Sequence, residues 1–178
     1  MLEIVSAEAE TQYRQIRELL GELVTWDTAQ ADQLHLDPKL VLDFCYASGQ
    51  EELPGAYAPP GGNLLLATLS GKAAGCVAFR RLSPDTCEMK RMYVRPEFRG
   101  MGIGRQLVDT LIQTARESGY SLMRLETTIR MDNAISLYSA AGFNVCQPYY
   151  TIPESFLAVT VFMELNLTER ESNRTSSS

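Results

Sequence analysis

Arg99-Gly100-Met101-Gly102-Ile103-Gly104-Arg105 decides how this chain is read. A strand-like run, Met92-Tyr93-Val94, ends just before it, and a helix-like run, Gln106-Leu107-Val108, begins just after. Glycine at every second position strips the backbone of side chains. The first N–H groups of a helix have no partner within it, and the helix dipole is positive at that end. Bare backbone opening a helix therefore binds anions. The stretch predicts a strand, a phosphate-holding turn and a helix. Two familiar fingerprints fail here. A dinucleotide turn needs G-x-G-x-x-G, and counting from Gly100 and Gly102 puts arginine at 105. A P-loop needs Lys-Ser or Lys-Thr after its last glycine, and no glycine here is followed by either. Both failures oppose a nucleotide-binding domain. What remains is R-x-x-G-x-G, which suits a diphosphate flanked by Arg99 and Arg105. The plainer reading is a tight turn with solvated arginines.

Working outward, Thr86 to Val94 reads as a strand stopped by Arg95-Pro96, because proline cannot donate to a ladder. Before it, Asn63 to Leu69 and Ala73 to Leu82 form a hairpin by spacing, and Gly75 inside the second strand marks a bulge or a close backbone approach. Leu2 to Ser6 is a first strand. Glu8 to Trp26 is a helix with an apolar stripe, and Asp37-Pro38 starts a second helix running to Ala47. Ser48 to Gly62 is a proline- and glycine-rich loop. After the glycine turn come a helix to Glu117, a strand from Ser121 to Thr127, and a helix capped by Asp132 or Asn133 and closed by Gly142. Strands over Phe143–Cys146 and Phe156–Leu165 follow, with a loop over 147–155 between them. The strand at 121–127 follows a strand and a helix, so it should lie parallel to Thr86–Val94 through a right-handed crossover. The order β-α-α-β-β-β-α-β-α-β-β is α+β, a mostly antiparallel sheet with one parallel pair. One domain is expected over 1–167, with a mobile polar tail over 168–178.

Composition narrows the function. The 178 residues carry a net charge of −6, which opposes a nucleic-acid partner and leans toward cationic ligands. No run approaches the roughly 20 apolar residues of a membrane span, and no signal peptide opens the chain. Four scattered cysteines and one histidine supply no metal site and imply a reducing, cytoplasmic setting.

At this point the sequence resembles a family. Met92 to Gly104 is similar to the acetyl-CoA motif of the GNAT superfamily of N-acetyltransferases, [QR]-x-x-G-x-[GA]. Asn133-Ala134-Ile135-Ser136-Leu137-Tyr138, followed by Gly142-Phe143, resembles that superfamily's second signature, compressed before the alanine. The resemblance covers about Leu2 to Leu165. It implies a strongly twisted sheet of about seven strands, with the parallel pair splayed to admit coenzyme A and about four helices on the two faces. It implies acetyl-CoA as cosubstrate. The pantetheine arm would run along Met92, Tyr93 and Val94. The pyrophosphate would sit on N–H groups of Gly100, Met101, Gly102, Ile103, Gly104 and Arg105, beside Arg99. Asn133 would contact the arm or the adenosine-side phosphates. Homodimers are common in such families.

The implied reaction is acetyl transfer to a primary amine, on a small molecule or on a peptide or protein. An alkylamine titrates near 10.4 and a thiol near 8.5, so freeing the amine of its proton is the larger problem at neutral pH. Glu88 stands eleven positions ahead of Arg99, where some family members carry a catalytic glutamate, and is the candidate base. Its plainer reading is a solvated strand residue. Tyr138 matches the family tyrosine that protonates the CoA sulfur, and would otherwise pack on Phe143. The N–H of Val94 is the candidate donor to the thioester oxygen. Trp26 and Tyr57, with the 48–62 and 147–155 loops, are candidate acceptor contacts. The competing function is a silent acyl-CoA-binding sensor on the same fold.

Overall fold

The computed structural model describes residues 1–46 and 52–168. Part of the proline-rich loop and the tail beyond 168 lie outside the described residues. The strands are β1 (Leu2–Ser6), β2 (Asn63–Leu69), β3 (Lys72–Arg81), β4 (Thr86–Val94), β5 (Leu122–Thr128), β6 (Asn144–Val145) and β7 (Thr160–Asn166). The helices are α1 (Glu10–Ala31), α2 (Pro38–Cys45), α3 (Ile103–Glu117), α4 (Asp132–Ala140) and α5 (Glu154–Leu157). Together the strands make one seven-stranded sheet in the order β1-β2-β3-β4-β5-β7-β6. Every pair is antiparallel except β4 and β5. The expected α+β architecture and its single parallel pair are both present.

Each sheet face has its own core. On one, α3 sets Leu107, Val108, Leu111, Ile112 and Ala115 against Leu65, Val77, Phe79, Met89 and Met123. A fully buried leucine there contributes about 2 kcal/mol. On the other, α1 sets Ile16, Leu19 and Leu23 against Leu64, Leu66, Cys76 and Tyr93. Asp37 caps α2 as expected, its carboxylate accepting from the Lys39 N–H at 2.8 Å.

Three local expectations need correction. α1 runs five residues past Trp26, because 27–31 carry no glycine or proline stop; the turn comes at His35, in the left-handed region. α4 is capped by Met131, not by Asp132 or Asn133, and the Met131 carbonyl accepts from the Ile135 N–H at 2.8 Å. Residues 156–159 are not strand. Phe156 belongs to α5 and is buried with Ala31, Leu36 and Val41, so it seals the far ends of α1 and α2.

β4 carries the feature that positions the site. Its register with β3 slips: Cys76 faces Tyr93, but Ala78 faces Lys90. Arg91 and Met92 thus stand opposite Val77 alone, a bulge, with Arg91 at φ 60°. A bulge reverses which face successive side chains take. Before it, Met89 packs in the α3 core; after it, Met92 and Val94 do, and Tyr93 enters the α1 core. Glu88, Lys90 and Tyr93 therefore share the α1 face.

Candidate active site

The glycine turn is built as its sequence predicts. Gly100 and Gly102 have φ of 78° and 76°, a left-handed conformation that costs other residues about 1–2 kcal/mol each. Gly102 caps α3 with its backbone alone, and its carbonyl accepts the first helical bond, from Gln106 at 3.1 Å. Among the described residues, the six N–H groups from Gly100 to Arg105 have no acceptor. They form a concave, positive cradle of the kind that holds phosphate. Gly104 serves packing instead: a Cβ there would stand 3.3 Å from Met92 Cε and 3.5 Å from Leu137 Cδ2, so glycine lets α4 and β4 close on α3.

The two arginines have separate uses. Arg105 donates to Asp109 at 2.8 and 2.9 Å and to the Ala140 carbonyl at 3.1 Å, which ties α3 to the end of α4 and leaves only its N–H for the cradle. Arg99 donates from Nε to the Val94 carbonyl at 2.9 Å, and its guanidinium lies 6.0 Å from the ring centres of both Trp26 and Tyr93. Trp26, expected beside the acceptor, is thus placed beside an arginine of the phosphate turn. Trp26→Leu should raise the KM for acetyl-CoA about threefold, from loss of a cation–π contact, and move the amine KM less than twofold. Initial rates at varied acetyl-CoA check this; an effect confined to the amine KM would return Trp26 to the acceptor side.

Next to the cradle the sheet is open. β4 and β5 pair only at Thr86–Leu122, Cys87–Met123 and Glu88–Arg124, then part. The Arg95 N–H donates to Ala74 at 2.9 Å, and the Tyr93 oxygen lies against Gly75, so residues 93 and 95 direct their backbone to β3. Directions alternate along an antiparallel strand. Met92 and Val94 therefore turn their N–H and carbonyl groups to the edge that β5 has left. The Val94 carbonyl is taken by Arg99; its N–H faces the opening. A pantetheine arm, with amides to pair, fits such an edge, and the unpartnered cradle fits the pyrophosphate that follows it. Tyr93 contributes its ring to the core.

Tyr138 lies on α4, next to Leu137, which touches Gly104 at the head of α3. It is 6% exposed, with its ring edge-on to Phe143 at 6.0 Å. Burial pushes its phenol well above the ordinary tyrosine range. Asn133 is exposed at the second position of α4. Glu88 is 1% exposed, far from a solvated strand residue; its carboxylate accepts from Arg80 Nε and from the Tyr149 hydroxyl, each at 2.9 Å. Tyr57 is 1% exposed in the α1 core, and a Cβ on Gly62 would lie 2.6 Å from its Cα; it packs rather than presents itself to a ligand.

Several residues around Glu88 were not singled out from the sequence. Tyr149 and Tyr150 come from the 147–155 loop and stack edge-on with each other and with Phe162 of β7, centres 5.2 to 5.6 Å apart. Arg124 lies 5.1 Å over the Tyr149 ring. Lys90 and Glu126 pair at 3.2 Å, and Glu126 also accepts from the Tyr150 hydroxyl. A signal existed: β4 and β5 are central strands, which normally read as apolar runs, yet Glu88-Lys90 and Arg124-Glu126 put charge at alternate positions.

An anion cradle beside two parted strands defines a fold that holds a CoA thioester. The chain belongs to the acetyltransferase (GNAT) family, whose model matches residues 21–143. It is 38% identical over 133 residues to an uncharacterised N-acetyltransferase of Schizosaccharomyces pombe, covering 72% of this chain and 80% of that one. Its fold is similar to an acetyltransferase of GNAT family from Staphylococcus aureus, with a TM-score of 0.66, 20% identity, and 94% and 99% of the two chains covered. It is similar also to a Salmonella typhimurium protein solved with its cofactor acetyl-CoA, with a TM-score of 0.62, 20% identity and 99% of both chains covered. The chain is an N-acetyltransferase, and acetyl-CoA is its cosubstrate.

Proposed function

We propose that this chain moves the acetyl group of acetyl-CoA directly to a primary amine, a small molecule in preference to a protein, while both are bound. One observation carries the reading: the backbone edge at Met92 and Val94 stands open beside six unpartnered N–H groups. The cosubstrate supplies an activated carbonyl and a sulfur leaving group. The protein supplies the rest. The Val94 N–H, fixed on a paired strand, donates to the carbonyl oxygen as it gains charge. Glu88 takes the amine's proton, directly or through a water, and Arg80 and Tyr149 hold its carboxylate in place. Tyr138 returns a proton to the sulfur. Asn133 and Arg99 hold the diphosphate side. Net charge −6 supports a cationic acceptor.

Release of free thiol from acetyl-CoA across a panel of amines tests the proposal. Binding of acetyl-CoA with no thiol released by any amine would leave a silent acyl-CoA module instead. A domain over 1–167 and a cytoplasmic setting belong to the same reading; four free cysteines support the latter. Among the described residues no helix is long and apolar enough to cross a membrane.

Two of the protein's own thiols, Cys76 and Cys87, should stay silent in such an assay. Burial pushes the Cys76 and Cys87 thiols up to about 12. At pH 8 a thiol reagent should label neither until the chain is unfolded. Counting thiols with and without denaturant checks this, and labelling of native Cys76 would contradict the packing described.

A further inference from the structure

β4 and β5 separate after Glu88 and Arg124. The next residues on the α1 face of each strand are Lys90 and Glu126, and they meet across the gap at 3.2 Å. Their side chains are 15% and 20% exposed. An ion pair this far from water is not a surface decoration, since each charge gives up hydration to be there. The second oxygen of Glu126 accepts from the Tyr150 hydroxyl. Tyr150 stacks edge-on with Tyr149 and Phe162, and Phe162 stands opposite Glu126 in the β5–β7 register, so an aromatic cluster adjoins the carboxylate. Cys45, at the end of α2, lies within the field of both partners: burial is the main cause that raises its thiol, Glu126 adds to the rise and Lys90 opposes it.

The arrangement contains a primary ammonium held by a carboxylate, beside an aromatic cluster, in the opening between the two strands. That ammonium belongs to the protein. From this juxtaposition we infer that Glu126, backed by Tyr150, is the receiving site for the acceptor's ammonium group, and that Lys90 keeps the site charge-balanced until an acceptor takes its place. The inference rests on acetyl transfer to an amine, as proposed above. A lysine is suited to the placeholder role, because its point charge sits on a flexible stem and can swing away without breaking a bidentate contact. A buried carboxylate left with no partner is costly, so a competing internal cation keeps the empty site stable. The acceptor class follows: an amine charged at neutral pH on an apolar stem that suits the neighbouring aromatic rings, of which alkylamines and arylalkylamines are the simplest members.

The test uses the full chain with acetyl-CoA and three amines: spermidine, lysine methyl ester and phenethylamine. Thiol release identifies the best amine. With it, Glu126→Gln should raise the amine KM at least tenfold while the acetyl-CoA KM stays within twofold. Lys90→Met should lower the amine KM about threefold or more, because the competitor is gone. Calorimetric titration with CoA confirms that each variant retains its cofactor site. An unchanged amine KM in Glu126→Gln, or a raised one in Lys90→Met, overturns the inference while leaving acetyl transfer standing. If wild-type protein acetylates none of the three, the acceptor class inferred here is overturned, while acetyl transfer itself is decided by the wider amine panel. Should Glu126→Gln not fold, Lys90→Met alone decides, since the placeholder role requires a lower amine KM.

Discussion

Tyr138→Phe should lower kcat about 100-fold and leave the acetyl-CoA KM within twofold, if the hydroxyl acts as general acid. The substitution is clean. The ring packs edge-on against Phe143, and phenylalanine keeps that contact. Among the described residues the hydroxyl has no hydrogen-bond partner, so its removal orphans nothing. Melting temperature should hold within a degree or two, and a fall in rate then reports chemistry rather than folding. Burial makes the phenol a weaker acid than in water. Desolvation penalises a thiolate in the same way: the buried Cys76 and Cys87 thiols are pushed up to about 12. Both groups rise together, so burial alone does not drive the transfer; the phenol can serve only by donating at short range to the sulfur as its negative charge forms. Steady-state rates of Tyr138→Phe and wild type measure the effect, and equal kcat values would remove Tyr138 from the chemistry.

The fold was legible because its signals are local. The span of β2 was read to the residue, and that of β4 likewise, since turn residues bound both runs. The cradle was legible for the same reason: left-handed glycines and the N-terminus of a helix are properties of seven consecutive residues. The acceptor side was not. Lys90, Glu126, Tyr149 and Phe162 lie in four separate segments; the β4–β5 and β5–β7 registers bring the strand residues together, and Tyr149 joins them through Glu88 and Phe162. The bulge at Arg91 also hides from pattern reading. It exchanges the two faces of β4 halfway along, so counting alternate residues from Glu88 puts Tyr93 on the wrong face. Trp26 shows the same limit from the other direction. Its type suggested a ligand contact, but where α1 crosses the sheet decided that it stands beside Arg99.

Gly75 joins the legible half to the illegible one, and Gly75→Val should be the most damaging single change to the fold. The sequence marked this glycine for a bulge or a close approach, and the structure contains both. The β2–β3 register shifts one step away, where Ala67 faces Gly75 but Thr68 faces Ala73. A Cβ at 75 would lie 2.6 Å from the Tyr93 carbonyl oxygen, 3.1 Å from Val94 Cγ2 and 3.3 Å from Leu107 Cδ1. The first of these is backbone and cannot rotate away. β4 would have to move off β3 at the pair that turns Val94 toward the opening, and α3 would have to shift with it. Overpacking of this kind costs about 3 kcal/mol, a large share of the roughly 5–15 kcal/mol that holds a domain folded. Urea unfolding should show that loss as a lower midpoint at similar slope. Because the strain falls on Val94 and Leu107, acetyl-CoA affinity should drop in whatever fraction remains folded. Gly75→Ala, which meets the same oxygen, should show both effects more weakly. If Gly75→Val kept full stability, the close approach of β3 and β4 described here, and with it the orientation of Val94, would be wrong.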